Sequence, residues 1–169
     1  DGNPNRMHFK TPDIDMPEGG LNIRLVDLPV DQEARLLRHK VSAAEAFARE
    51  NRIDRRGLGQ ADAKIGIVAA GKNWLDVQHA MSVLGVDQDE AVRLGITTYK
   101  VVQTWPLDKT SLREWADGLD LIIVVEEKRK LIEPQIKDAL FHDANHCRVY
   151  GGEKGDLGTL LFPSEGALD

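Results

Sequence analysis

Two stretches of the chain are apolar almost without a break and have the length of a strand, Lys64–Ala70 and Leu121–Glu126, and a third, Thr97–Gln103, is β-branched and aromatic enough to be one. Continuous apolar runs, unlike alternating ones, predict strands covered on both faces. Between these runs the apolar period lengthens to that of a helix. Gly71 ends the first run, and Asn73 with Asp76 has capping-box spacing before a helix whose apolar face is Trp74, Val77, Met81 and Leu84. Gly85 ends that helix, Asp87 with Glu90 caps a short second one, and Gly95 closes it. Leu112, Trp115, Ala116 and Leu119 mark a third helix stopping at Gly118, and a fourth spans about Lys130 to Phe141 with Pro134 in its first turn. The last strand expected is the short Cys147–Tyr150.

Upstream of the first strand, Leu37, Val41, Ala44 and Phe47 keep one helical face apolar between about Asp31 and Arg52. Ser42 and Glu45 repeat the capping-box spacing inside that region, which predicts two helices meeting near Ser42. Residues 1–30 hold four of the seven prolines and read as an extended connector, with at most a short strand at Leu21–Val26. Five glycines among residues 151–169 make a second connector, with an ordered piece at Leu160–Phe162. The expected organisation is a linker over 1–30, an α/β domain over 31–150 and a Gly-rich connector over 151–169. Strands separated by helices of this length predict a three-layer α/β/α fold around a mainly parallel sheet of four to five strands. Of the three stretches, Lys64–Ala70 and Leu121–Glu126 are the most uniformly apolar. They place Lys64–Ala70 at the centre, with Thr97–Gln103 on one side, Leu121–Glu126 on the other and Cys147–Tyr150 beyond the latter.

The charge balance changes this picture little. A formal net charge of −6 over 169 residues argues against general nucleic-acid binding, which needs excess Lys and Arg. The local cluster Arg49, Arg52, Arg55 and Arg56 is expected to be solvated or to compensate a helix dipole. No run is long and apolar enough to span a bilayer, and the first residues lack a signal-peptide pattern. A lone cysteine, Cys147, rules out an internal disulfide framework and fits a reducing cytoplasm. One thiol also cannot hold an iron–sulfur centre.

Candidate chemistry gathers where the topology predicts it, beyond the carboxyl ends of the strands. Those ends carry Gly71-Lys72, Thr104-Trp105-Pro106 and Glu126-Glu127-Lys128-Arg129. The candidate crevice is therefore Gly71, Lys72, Trp105, Glu126, Glu127, Lys128 and Arg129. Adjacent carboxylates on one strand point to opposite faces, so Glu126 and Glu127 do not form an acid/base pair aimed at one substrate. An ion-pair and helix-capping cluster is the expectation, and no residue is assigned a catalytic role. Gly66 to Lys72 fits G-x-x-x-x-G-K, yet Ile67–Ala70 belong inside the strand and Asn73 replaces the magnesium-holding hydroxyl. A nucleotide loop is not expected there. His142, His146 and Cys147 offer an i, i+4 pair plus a thiol, but no second ligand cluster completes a metal site.

GIVAAGKNWLDVQHAMSVLG, RLGITTYKVVQTWPL and LIIVVEEKRKLIEPQIKDAL resemble the large bacterial indolepyruvate ferredoxin oxidoreductases, as do FKTPDIDMPEGGLNIR and GTLLFPSEGALD at the two ends. The resemblance covers nearly the whole chain. It implies a transketolase C-terminal-like domain of an enzyme that decarboxylates arylpyruvates oxidatively on thiamine diphosphate and Mg²⁺. It further implies [4Fe–4S] clusters, ferredoxin as electron acceptor, CoA as acyl acceptor, and other domains and a partner subunit as neighbours. Gly71-Lys72, Thr104-Trp105-Pro106 and Glu126 to Arg129 match recurring motifs of the family, and none is an established chemical residue there. Pro134 departs from the helix former usual at that position. The chain has neither a thiamine-diphosphate motif nor a cluster-binding cysteine set, so it is expected to be a non-catalytic piece of the cytoplasmic enzyme, cofactor-free and inactive alone. The alternative is a free-standing flavodoxin-like domain that binds a small molecule between the Gly71 and Glu126 ends.

Overall fold

The computed structural model describes residues 8–142, 147–152, 159–163, 165 and 166, in two compact units, one ending at Arg52 and one beginning at Ile53. The helices before Arg52 thus group with the N-terminal residues, on the other side of this division from the sheet with which they were expected to form one domain.

In the first unit, Pro29 opens helix α1 (Pro29–Arg35), where its missing N–H would have had no helical partner in any case. A π-helical turn over Leu36–Lys40 carries the chain into α2 (Val41–Glu50). The break expected near Ser42 is absent. Lys40 stays helical, and the Ser42 hydroxyl donates back to the His39 carbonyl at 3.0 Å instead of capping a new helix. The extra residue in the π turn takes up the change of phase that the sequence presents as a restart. Leu21–Val26 is not a strand but a set of turns. It is tied to α1 by the Arg35 guanidinium, which grips both oxygens of Asp27, one at 2.8 Å, and donates to the Asn22 carbonyl at 3.4 Å.

The second unit is built on a five-stranded sheet among the described residues, in the order β1-β3-β2-β4-β5. Its strands are β1 (Arg55–Arg56), β2 (Ile65–Ala70), β3 (Ile96–Val101), β4 (Leu121–Val125) and β5 (Arg148–Tyr150). The first apolar run is central as expected, with β3 and β4 parallel on either side and β5 parallel beyond β4. Only β1 is antiparallel, and it has no apolar signature because it is a two-residue, charged edge strand. The helices are α3 (Gly71–Val83), α4 (Gln88–Leu94), α5 (Lys109–Ala116) and α6 (Ile132–Leu140).

Side-chain alternation along the strands divides the core in two. Val68, Tyr99, Val101, Ile122 and Val124 pack against α5 and α6, whereas Ala69 packs against Trp74, Val77 and Met81 of α3. Gly66 faces the first of these layers, where an added Cβ would lie 2.5 Å from the Trp115 ring and 2.8 Å from Leu119. Buried Thr97 in β3 is satisfied there: its hydroxyl donates to the Leu58 carbonyl and accepts from Arg56 and from the Trp115 indole N–H.

The expected helix punctuation holds at α4, where the Asp87 carboxylate accepts from the Glu90 amide and Gly95 ends the helix left-handed at φ 67°. At α3 it does not. The helix begins directly after extended Ala70 with no side-chain cap, and neither Asn73 nor Asp76 is used as the spacing predicts. Both side chains are drawn to groups beyond the local sequence or on the exposed face, as the crevice makes plain. No helix among the described residues is long and apolar enough to cross a membrane.

Candidate functional site

Ile67–Ala70 lie within β2, so the G-x-x-x-x-G-K spacing is formed by a strand and not by a phosphate-cradling loop. Gly71 is the first residue of α3, with a left-handed φ of 53° that glycine adopts without strain. It turns the chain out of the sheet and aims Lys72 at the end of β4. The Lys72 ammonium lies 3.0 Å from Asp76 and 3.7 Å from Glu127. Asn73 reaches the same place: with its carboxamide turned so that nitrogen faces acceptor and oxygen faces donor, it donates to the Glu127 carboxylate at 3.2 Å and accepts from the Glu127 amide at 3.1 Å. That is where the expected capping box goes, each of its members taken by a charged neighbour.

Glu126 points the other way. Its Oε1 accepts from the amides of Leu131, at 3.1 Å, and Ile132, at 2.8 Å, while Oε2 accepts from the Glu133 amide at 2.9 Å. A single carboxylate therefore satisfies three amides at the start of α6, where Pro134 has no N–H to satisfy. Adjacent acids directed to opposite faces do not form a general acid/base pair, and both are held by protein groups. Lys128 follows in a left-handed conformation, φ 62°, unusual for a residue with a Cβ. Lys128, Arg129 and Lys130 are all exposed.

Two hollows flank these residues. The larger, about 610 Å³, is bounded by Lys72, Asp76, Val77, His79 and Ala80 of α3, by Val125 at the end of β4, and by Phe162. A smaller one of about 90 Å³ is lined by Glu126, Lys128, Arg129 and Lys130, and shares Phe162. Phe162 belongs to the ordered C-terminal piece expected at Leu160–Phe162, where the Leu161 amide bonds the Gly152 carbonyl at 2.9 Å. Trp105 lines neither hollow. It follows β3, half exposed, on a loop tied to α6 by the Gln135 carboxamide, which bonds the Thr104 carbonyl and the Leu107 amide. The structure thus gathers Lys72, Glu126, Glu127, Lys128 and Arg129 and sets Trp105 apart.

Sequence reasoning passed over two buried acids. Glu133, fully buried, bonds Lys137 at 2.5 Å and the Gly152 amide at 3.1 Å, which pins the chain after β5. Its i, i+4 spacing to Lys137 was the available signal. Asp54 accepts from the amides of Val102 and Gln103, 48 and 49 residues away, and no local pattern encodes that. Of His142, His146 and Cys147, which were not expected to complete a metal site, His146 lies outside the described residues. The Cys147 thiol is pushed up to about 11, first by burial and then by Asp120, so it is protonated near neutral pH.

A family model described as the indolepyruvate oxidoreductase domain matches residues 55–169. The chain is similar to the indolepyruvate oxidoreductase subunit IorA of Pyrococcus abyssi, 29% identical over 136 residues, covering 76% of this chain and 19% of that subunit. The corresponding subunit of Methanothermobacter marburgensis is 24% identical over 142 residues, covering 82% of this chain and 22% of its own length. The chain therefore spans about a fifth of the length of these curated relatives. Among solved structures, a 2-oxoglutarate:ferredoxin oxidoreductase from Magnetococcus marinus, with 2-oxoglutarate, coenzyme A and succinyl-CoA bound, covers 89% of this chain and 24% of its own at 18% identity and a TM-score of 0.44. An inactive β4 tetramer of a split-gene transketolase gives the same TM-score at 15% identity, over 58% of this chain and 31% of its own.

Proposed function

The chain belongs to the indolepyruvate oxidoreductase domain family, and from that premise we propose that it is a non-catalytic assembly domain of a thiamine-diphosphate-dependent 2-oxoacid:ferredoxin oxidoreductase. The full enzyme of this proposal oxidatively decarboxylates arylpyruvates to acyl-CoA, with ferredoxin and CoA as its partners, in the cytoplasm. The observation that carries the assembly role is a run of large apolar side chains in the first unit that water reaches. Ile23, Leu25, Val26, Leu28, Val30 and Leu37 are all exposed, Leu25 and Val26 almost completely. Apolar surface concentrated in so short a stretch supports a protein interface there.

A [4Fe–4S] cluster takes four thiolates and the chain has one cysteine. Among the described residues no group of three or more His, Cys, Asp or Glu could hold a metal ion. Thiamine diphosphate with its Mg²⁺ and the iron–sulfur clusters belong, in this proposal, to other parts of the enzyme, and this chain takes no chemical step.

Two measurements test it. The 169-residue chain, supplied with indolepyruvate, thiamine diphosphate, Mg²⁺ and CoA, is expected to reduce viologen no faster than buffer; turnover overturns the non-catalytic assignment. Within the assembled enzyme, the exposed pair Leu25→Asp/Val26→Asp is expected to weaken co-purification of this domain with its neighbours while leaving its own circular dichroism unchanged. Unimpaired assembly of the folded variant removes the interface role.

A further inference from the structure

The assembly role uses the first unit and leaves unexplained the hollows at the strand ends of the second. Their position follows from the topology. From β2 the chain crosses to β3 through α3, and from β3 it returns past β2 to β4 through α5, on the other face of the sheet. The segments leaving the carboxyl ends of β2 and β4 consequently diverge to opposite faces. A crevice opens between them, at the point where parallel α/β sheets place small ligands. The larger hollow, about 610 Å³, falls in the range of small-molecule sites. Val77, Ala80, Val125 and Phe162 give it an apolar part, and Lys72, Asp76 and His79 complete its lining.

On the other side of Phe162 the lining changes character. Lys128, Arg129 and Lys130 line the small hollow with one carboxylate, Glu126, whose oxygens are both taken by the three amides of α6. At the rim of the larger hollow, Asp76 and Glu127 are both paired with Lys72. Lys130 also lies 3.9 Å from the Glu133 carboxylate, so the cationic balance around the small hollow rests on Lys128 and Arg129. The left-handed backbone at Lys128 has a cost that side-chain-bearing residues rarely bear, and such strain concentrates at ligand sites.

We propose that the two hollows form one binding site for a small amphiphilic anion, with a flat apolar group between Ala80 and Phe162 and a carboxylate or phosphate held by Lys128 and Arg129. The apolar part of the larger hollow excludes water from the ring, and the neighbouring cations select the charge; neither feature alone requires the other to lie beside it. This site goes beyond the assembly role and stands or falls separately from it.

The test is titration of isotope-labelled 169-residue chain by nuclear magnetic resonance with four probes. Phenyl phosphate and phenylacetate each carry ring and anion, inorganic phosphate carries charge alone, and benzyl alcohol carries the ring alone. Phenyl phosphate or phenylacetate is expected to shift the amides of Val77, Ala80, Val125 and Lys128, and the tighter of the two identifies the anion. The single-feature probes are expected to bind about tenfold or more weakly, the loss of one good contact set. Absence of localised shifts with both bifunctional probes overturns the proposal. So does benzyl alcohol binding as tightly as they do. Ala80→Trp, at an exposed helical position, is expected to fill the groove and abolish binding. Lys128→Gly relieves the backbone and removes the charge, so it is expected to fold and to bind about tenfold more weakly; binding at the original strength by either folded variant overturns the site.

Discussion

Asp54 shows what a single buried acid does in this protein. Its Oδ1 accepts from Val102 at 2.7 Å and Gln103 at 3.0 Å, while Oδ2 is buried without a partner among the described residues. Burial raises its pKa, the two amides oppose that, neighbouring Asp108 adds to the rise, and Arg55 counters it. The Tyr99 phenol is raised too, by burial first and then by Asp54 and Asp108. An acid whose folded pKa lies above its unfolded value costs stability in full above the folded value and none below the unfolded one. Asp54→Asn keeps an acceptor for both amides and removes the charge. It is expected to be at least as stable as the wild type near neutral pH, with the advantage disappearing as pH falls through the raised pKa. Asp54→Ala leaves two amides without their acceptor and is expected to cost about 1–3 kcal/mol. Urea unfolding of both variants at neutral and acid pH checks the order, and a less stable Asn variant at neutral pH contradicts it.

At the scale of the element, α6 is the clearest case of structure built by a side chain outside it. Glu126 lies six residues before the helix begins at Ile132, yet supplies acceptors for three amides at its start. A capping cluster at the end of β4 was legible in advance, because acids before a helix are favoured by its dipole. Which acid caps and which pairs with Lys72 was not, since that depends on the turn at Lys128. Glu126→Ala is expected to destabilise the protein by about 1–3 kcal/mol through those amides. Glu127→Ala breaks contacts with a half-exposed Lys72 and with the Asn73 carboxamide, but strands no backbone amide, and is expected to cost less, within about 1 kcal/mol. Thermal melts of the two single variants decide this, and equal losses or the reverse order refute the division of labour. The expected boundary at Ser42 failed for a related reason: a serine inside a helix can bond back to its own preceding turn as readily as it can cap a new one.

The whole molecule is two compact units with different characters. The first carries a folded helical run with much of its apolar surface open. The second encloses a sheet between helices, and its tolerance for change is set by close packing. Gly66 in the central strand shows how tight that packing is. Because an added methyl would meet Trp115 and Leu119 well inside contact distance, Gly66→Ala is expected to cost about 1–3 kcal/mol by overpacking. The expected signature is a lowered denaturant midpoint together with an altered near-ultraviolet signal from Trp115. An unchanged midpoint means that the α5 layer yields more readily than its geometry implies.

Apolar periodicity by itself determined the elements and most of their order. Uninterrupted runs at Lys64–Ala70 and Leu121–Glu126 can be satisfied only by burial on both faces, and that requirement alone centres the first strand. Local chemistry likewise determined the Asp87 cap and the Gly95 stop, because donor, acceptor and backbone conformation lie within a few residues of one another. Tertiary structure decided what depends on partners distant in sequence. β3 ends at Val101 and not at Gln103 because Asp54 takes the next two amides. The Asn73–Asp76 box does not form because Glu127 and Lys72 compete for its members. Two charged arginines become strand β1 because the edge of β3 offers them backbone partners. That a groove on α3 and a hollow lined by Lys128 and Arg129 share Phe162 was beyond the reach of pattern as well. Their walls come from α3, β4 and the C-terminal segment, which only the folding of the sheet brings together.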